Sequence, residues 1–150
     1  MNFKTILVAI DGGEQTTQVL DLALTLFRTE SGAKLHVVSV IDPLPAVSGG
    51  MAGATDLSVE SLDVRAHDTV KTGTAYLSER GVAAEGHVAF GNSAQTIIHQ
   101  AGVIGADLIV VGHRHLSFWE RLFDSSTCAS ILEQAPCPVL VATETSVREV

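Results

Sequence analysis

Apolar residues along this chain alternate between two spacings. Lys4 to Ile10 (KTILVAI) is a short unbroken apolar run that stops at Asp11-Gly12-Gly13, as a strand buried on both faces of a parallel sheet does. From Gln15 the spacing changes. Val19, Leu20, Ala23, Leu24 and Phe27 fall at i, i+1, i+4, i+5 and i+8, a helical stripe, and Gly32 supplies a stop. Lys34 to Ile41 is a second strand. Ser58 to Arg80 reads as a long helix with Leu62, Ala66, Val70 and Leu77 inward, ended by Gly81. Val82 to Phe90 is a third strand, weakened by Gly86. Asn92 or Ser93 then caps a helix carrying Ile97, Ile98 and Ala101. Asp107 to Gly112 (DLIVVG) is the fourth strand and the most apolar. Ser125-Ser126-Thr127 caps a helix running through Glu133. Pro136 and Pro138 end it, and Val139 to Ala142 is the fifth strand.

Strands alternating with helices predict an α/β fold, a parallel sheet covered on both faces. The most economical topology is a single doubly wound five-stranded sheet of order 3-2-1-4-5. Ligands in such sheets bind beyond the carboxyl ends of the strands flanking the reversal of direction. Here those ends are Asp11 and Gly112. Two stretches stand outside the pattern. Residues 42–57 hold two prolines and three glycines and predict a flexible loop. The polar tail, about 144–150, predicts fraying. The 150 residues are expected to form one domain.

Charge narrows the partners. Nine Lys and Arg against seventeen Asp and Glu leave a net charge of −8, and no basic run offsets it, so no nucleic-acid partner is expected. No apolar run reaches the ~20 residues of a membrane helix. The start, MNFKTILVAIDGG, does not read as a signal peptide; the expected location is cytoplasmic. Cys128 and Cys137 make neither a CxxC pair nor a disulfide framework and read as small buried or half-buried thiols.

The segment from Gly112 to Ser126, GHRHLSFWERLFDSS, follows the fourth strand and leads into a helix, the place where a phosphate loop would lie. There is no Walker motif, no GxGxxG and no nucleophile elbow. His113 and His115 have no evident third ligand nearby, so no metal is assigned. Phe118 and Trp119 read as anchors on the core.

ILVAIDGGEQ at the start, GNSAQTII in the middle, ADLIVVGHR and then APCPVLV at the end resemble, in order and spacing, the universal stress protein family. The resemblance implies a Rossmann-like fold of the order derived above and a homodimer joined through the last strand, here Val139, Leu140 and Val141. Many members bind ATP through Gly, two residues, Gly, nine residues, Gly, then Ser or Thr. In this chain Gly112 fills the first place, His115 the second, Ser125 the third and Ser126 the hydroxyl. The family's adenosine contacts would fall on Asp11 and on the backbone near Val40. Glycine permits close approach of backbone to phosphate; a Cβ at the second or third place obstructs it. The histidines and aromatics of the loop are similar to the branch of the family without the glycine signature. The expectation is a stress-response protein that acts by binding rather than catalysis, with no firm cofactor. The alternative is an ATP-binding sensor with weak or slow hydrolysis.

Overall fold

A computed structural model describes residues 2–41, 59–112 and 131–142. The described elements run β1 (Thr5–Ala9), α1 (Thr16–Thr29), β2 (Lys34–Ile41), α2 (Val59–Glu79), β3 (Ala84–Phe90), α3 (Ser93–Ile104), β4 (Leu108–Gly112) and β5 (Val139–Ala142), with residues 131–134 helical before β5. The sheet has five strands in the order β3-β2-β1-β4-β5, and every pairing is parallel. The doubly wound order expected from the alternation is the one observed.

Each face of the sheet builds one core, and strand alternation decides which side chain goes where. Ile6, Val8, Leu35, Val37, Leu108 and Val110 pack with Val19, Leu20, Ala23 and Leu24 of α1 and Leu77 of α2. Leu7, Ala9, Val38, Ile109 and Val111 pack on the other face with Ala94, Ile97 and Ala101 of α3 and with Ile131. The central strands are closed to water, with Ile6, Leu7, Val8, Ile109, Val110 and Val111 at 0% exposure. At about 1.5–3 kcal/mol for each large aliphatic side chain fully buried, these two strands are the most strongly held part of the sheet.

The long second helix lies close to the sheet because two glycines allow it. The inward stripe Ala66, Val70, Leu77 is buried as expected, Leu62 is half-buried, and Gly73 occupies the turn between. A Cβ built on Gly73 would lie 2.6 Å from Ile10 Cδ1. One on Gly86 of β3 would lie 2.4 Å from Val70 Cγ1. Gly86 therefore does not interrupt the third strand: it pairs with Val37 inside an unbroken ladder, and its missing side chain is the space that Val70 fills. The strand begins at Ala84 rather than Val82, because Val82 still closes the helix end with its N–H donating to the Leu77 carbonyl.

Local chemistry places the remaining ends. Asn92 is the N-cap of α3; its side-chain oxygen accepts from the Gln95 N–H at 3.2 Å. Asp107 sits just before β4 and accepts from the Lys4 and Thr5 N–H groups at 2.8 and 2.9 Å, tying the start of β1 to the start of β4. Cys137 is half-buried as a free thiol, and burial, with Asp107 as the smaller cause, pushes its pKa up; a protonated thiol is a poor nucleophile.

Candidate functional site

The carboxyl ends of β1 and β4 enclose a cleft lined by Ala9, Ile10, Asp11, Gln15, Thr16, Val19 and Gly112. Asp11 and Gly112, expected to flank a ligand on topology alone, do come together here. The strand reversal causes this. The chain leaves β1 toward α1 on one face and enters β4 from α3 on the other, so neither of these connections covers the gap between the two strand ends.

Asp11 holds the turn out of β1. Its Oδ1 accepts from the Gly13 N–H at 2.8 Å, an Asx turn that reverses the chain within three residues. The turn also needs Gly12, whose φ is +80°. A Cβ there would meet Thr69 Oγ1 of α2 at 2.8 Å, so glycine is required by conformation and by contact. The Thr16 N–H donates to the Gly13 carbonyl at 3.1 Å, and α1 begins at once. Gln15 holds the N-cap position, buried at 6% exposure, without a capping hydrogen bond from its side chain. The start of α1 thus faces the cleft with the partial positive charge of its first turn.

Gly112 has a packing role of its own. A Cβ on it would lie 3.0 Å from Val19 Cγ2 and 3.6 Å from Gln15 Oε1. At the first glycine place of the phosphate signature a side chain would thus crowd α1 by a few tenths of an ångström, whether or not a phosphate is bound. Val40 is half-buried at the carboxyl end of β2, on the α3 face. It lies two residues beyond the Ala9–Val38 pairing and is not among the cleft-lining residues. His115, Ser125 and Ser126 lie outside the described residues, as do His113, Arg114, Phe118, Trp119, Cys128, the 42–57 loop and the tail.

The cleft also contains two residues that sequence reasoning missed, Gln15 and Thr16. Thr16 Oγ1 is buried and has no hydrogen-bond partner among the described residues. A buried hydroxyl left unpaired costs about 1–3 kcal/mol, so it is the polar group here that most needs an acceptor. The sequence did hold a clue. Thr16 is the first residue of α1, where a side chain beside a strand end points toward whatever occupies the switch point.

A doubly wound parallel sheet with a cleft at its switch point defines the class: an α/β protein of nucleotide-binding architecture. Comparison with known proteins narrows it. The family model "Universal stress protein family" matches residues 2–143. "Universal stress protein YxiE" of Bacillus subtilis is 30% identical over 146 residues, covering 93% of this chain and 98% of the relative. The fold matches a universal stress protein solved in complex with cAMP, with TM-score 0.70 and 21% identity, over 95% of this chain and 98% of the other. It also matches the universal stress protein of Archaeoglobus fulgidus in complex with dAMP, with TM-score 0.66 and 21% identity, over 94% and 98% of the two chains. The chain belongs to the universal stress protein family.

Proposed function

We propose that this family member acts in the stress response by binding rather than by turnover, and that its cleft accepts the adenosine end of an adenine nucleotide while holding the phosphates weakly. The observation that carries this reading is Thr16 Oγ1, a buried hydroxyl at the cleft with no partner among the described residues. A ribose or base acceptor would complete it. The family structures solved with cAMP and dAMP support an adenine nucleotide as the ligand class. The weakness assigned to the phosphate end follows from His115 and Ser125 standing where glycine would let the backbone close on phosphate.

The reading has a direct test. Calorimetry should give weak or no ATP binding by the wild type. His115→Gly with Ser125→Gly should strengthen it by ~1.4–2.8 kcal/mol, ten- to a hundredfold. Adding Thr16→Val should remove the gain, because the buried hydroxyl is lost at nearly constant volume. Submicromolar ATP binding by the wild type would show that the loop cradles phosphate without glycine. Failure of the double-glycine variant to bind would show that the cleft is closed to nucleotide.

Assembly is part of the same proposal. β5 is the sheet edge beyond β4, and Val139, Leu140 and Val141 on it are half-buried and apolar. An apolar edge invites a second copy, and two-fold pairing would protect it. Light scattering should give a dimer mass, and Leu140→Lys should shift it to monomer.

A further inference from the structure

The second strand carries a buried polar residue that does not line the cleft. His36 is 8% exposed, near the amino end of β2, with its side chain on the α3 face of the sheet. β3 is the sheet edge, and it presents Glu85 and His87 on that same face, because residues two apart on a strand share a side. The register sets Glu85 opposite His36 and His87 opposite Val38, so all three side chains converge.

His36 Nδ1 lies 2.9 Å from His87 Nε2 and 3.7 Å from Glu85 Oε2. One ligand atom from each residue falls within 4.8 Å of the other two. The ring centroids are 5.2 Å apart with planes 17° from parallel. They exceed the N–N distance by about a ring radius on each side, so the rings meet edge to edge. One nitrogen donates to the other, and the shared proton is what keeps two imidazoles this close.

We propose that His36, Glu85 and His87 form a binding site for a divalent transition metal of the zinc class. Two imidazoles and one carboxylate are a borderline-soft donor set that suits zinc, copper or nickel over calcium or magnesium. Two ligands at about 2.1 Å from one tetrahedral zinc lie about 3.4 Å apart, and the separations of 2.9 and 3.7 Å straddle that value. Binding requires both facing nitrogens unprotonated. The proton they share moves to the far nitrogen of its own ring, and each imidazole stays neutral. The ion enters off the N–N line, so one ring must turn. His87 can do this on an edge strand, where it is half-buried, while buried His36 supplies the fixed ligand. Glu85, with its side chain 69% exposed, closes the set from solvent. Three protein ligands leave a fourth position for water. The bound ion would pin β3, the edge strand, to β2.

The test is zinc titration of the untagged full-length protein, stripped with chelator, followed by calorimetry and by the melting temperature. The expected result is one zinc per chain and a melting temperature that rises with zinc, since an ion that binds only the folded state stabilises it. His87→Ala and Glu85→Ala should each weaken zinc ~10-fold or more. Glu85→Ala, on an exposed side chain, should leave the metal-free melting temperature within a few degrees of wild type, whereas His87→Ala also lowers it because the buried His36 Nδ1 loses its partner. His113→Ala with His115→Ala should bind zinc as the wild type does. Absence of a one-to-one zinc complex overturns the proposal. So does an affinity unchanged by His87→Ala, or one lost in the His113 and His115 variant, which would place the metal in the loop.

Discussion

The switch-point cleft and the β2–β3 edge both gather polar groups on a sheet of aliphatic strands, but by different means. At the cleft the polar atoms sit where strands end. Asp11 folds back on the Gly13 N–H, Gly12 turns with φ +80°, and Thr16 starts a helix. At the edge they sit within the strands. His36, Glu85 and His87 occupy ladder positions and meet through register. A site of the first kind tolerates changes along the strands but not in the turn. A site of the second kind depends on a one-residue register and on what packs behind the strand. Behind β3 is α2, held close by Gly86. That glycine serves the edge site indirectly, since the helix pressed onto its far face fixes the strand that carries Glu85 and His87.

The contrast can be broken most forcefully at Gly86. Gly86→Val places a Cβ where 2.4 Å separates it from Val70 Cγ1, and overpacking of this kind costs ~1–3 kcal/mol or more. The urea midpoint should fall accordingly. An unchanged midpoint would mean that α2 does not sit directly on β3.

Gly12→Ala tests the turn-built site. A side chain at this φ costs roughly 1–2 kcal/mol, and the Thr69 contact adds to it. Combining it with Thr69→Ala should restore part of the loss, the steric part alone, measured again by urea unfolding. Full restoration would show that the positive φ carries no strain.

Gly112→Ala should be milder. Its Cβ would crowd Val19 Cγ2 at 3.0 Å, a contact that a few tenths of an ångström relieves, and alanine restricts the unfolded chain in compensation. The expected loss is below ~1 kcal/mol in the melting experiment. A larger loss would mean that the end of β4 cannot yield, and that the first signature glycine is primarily a packing residue.

The smallest effect is a pH dependence at the edge site. Burial lowers the pKa of His36 from 6.5; Glu85 opposes the shift, while His87 and Lys34 add to it. The unfolded state therefore binds a proton first. The stability contributed by neutral His36 is fully present above pH 6.5 and is lost as pH falls through its lower folded value. Unfolding midpoints measured from pH 7.5 to 5 should decline, and His36→Gln should flatten the decline. A slope unchanged in that variant would assign it to other groups.

Much of this was legible in the residues. Alternating runs and stripes specify five strands and their helices, and the chirality of parallel crossovers leaves few orders open. The observed order places Asp11 and Gly112 together as topology requires. The quartet His36–Glu85–Gly86–His87 was not legible in that way. Glu85 and His87 do share a strand face by spacing, yet their distance to His36, 51 residues before His87 in the chain, depends on which residue of β2 opposes which of β3. Gly86 illustrates the same limit. By itself a glycine in a strand reads as a weakness, because its neighbour across the sheet face, Val70, is unknown until α2 is docked. Thr16 reads as an ordinary first-turn threonine until its hydroxyl is found buried without an acceptor among the described residues. Periodicity is a local property of one segment, so the sequence by itself determined the elements, their inner faces and the sheet's reversal. Register, helix distance and hydrogen-bond partnership belong to pairs of segments, and they exist only after the entropy of bringing those segments together has been overcome by burial.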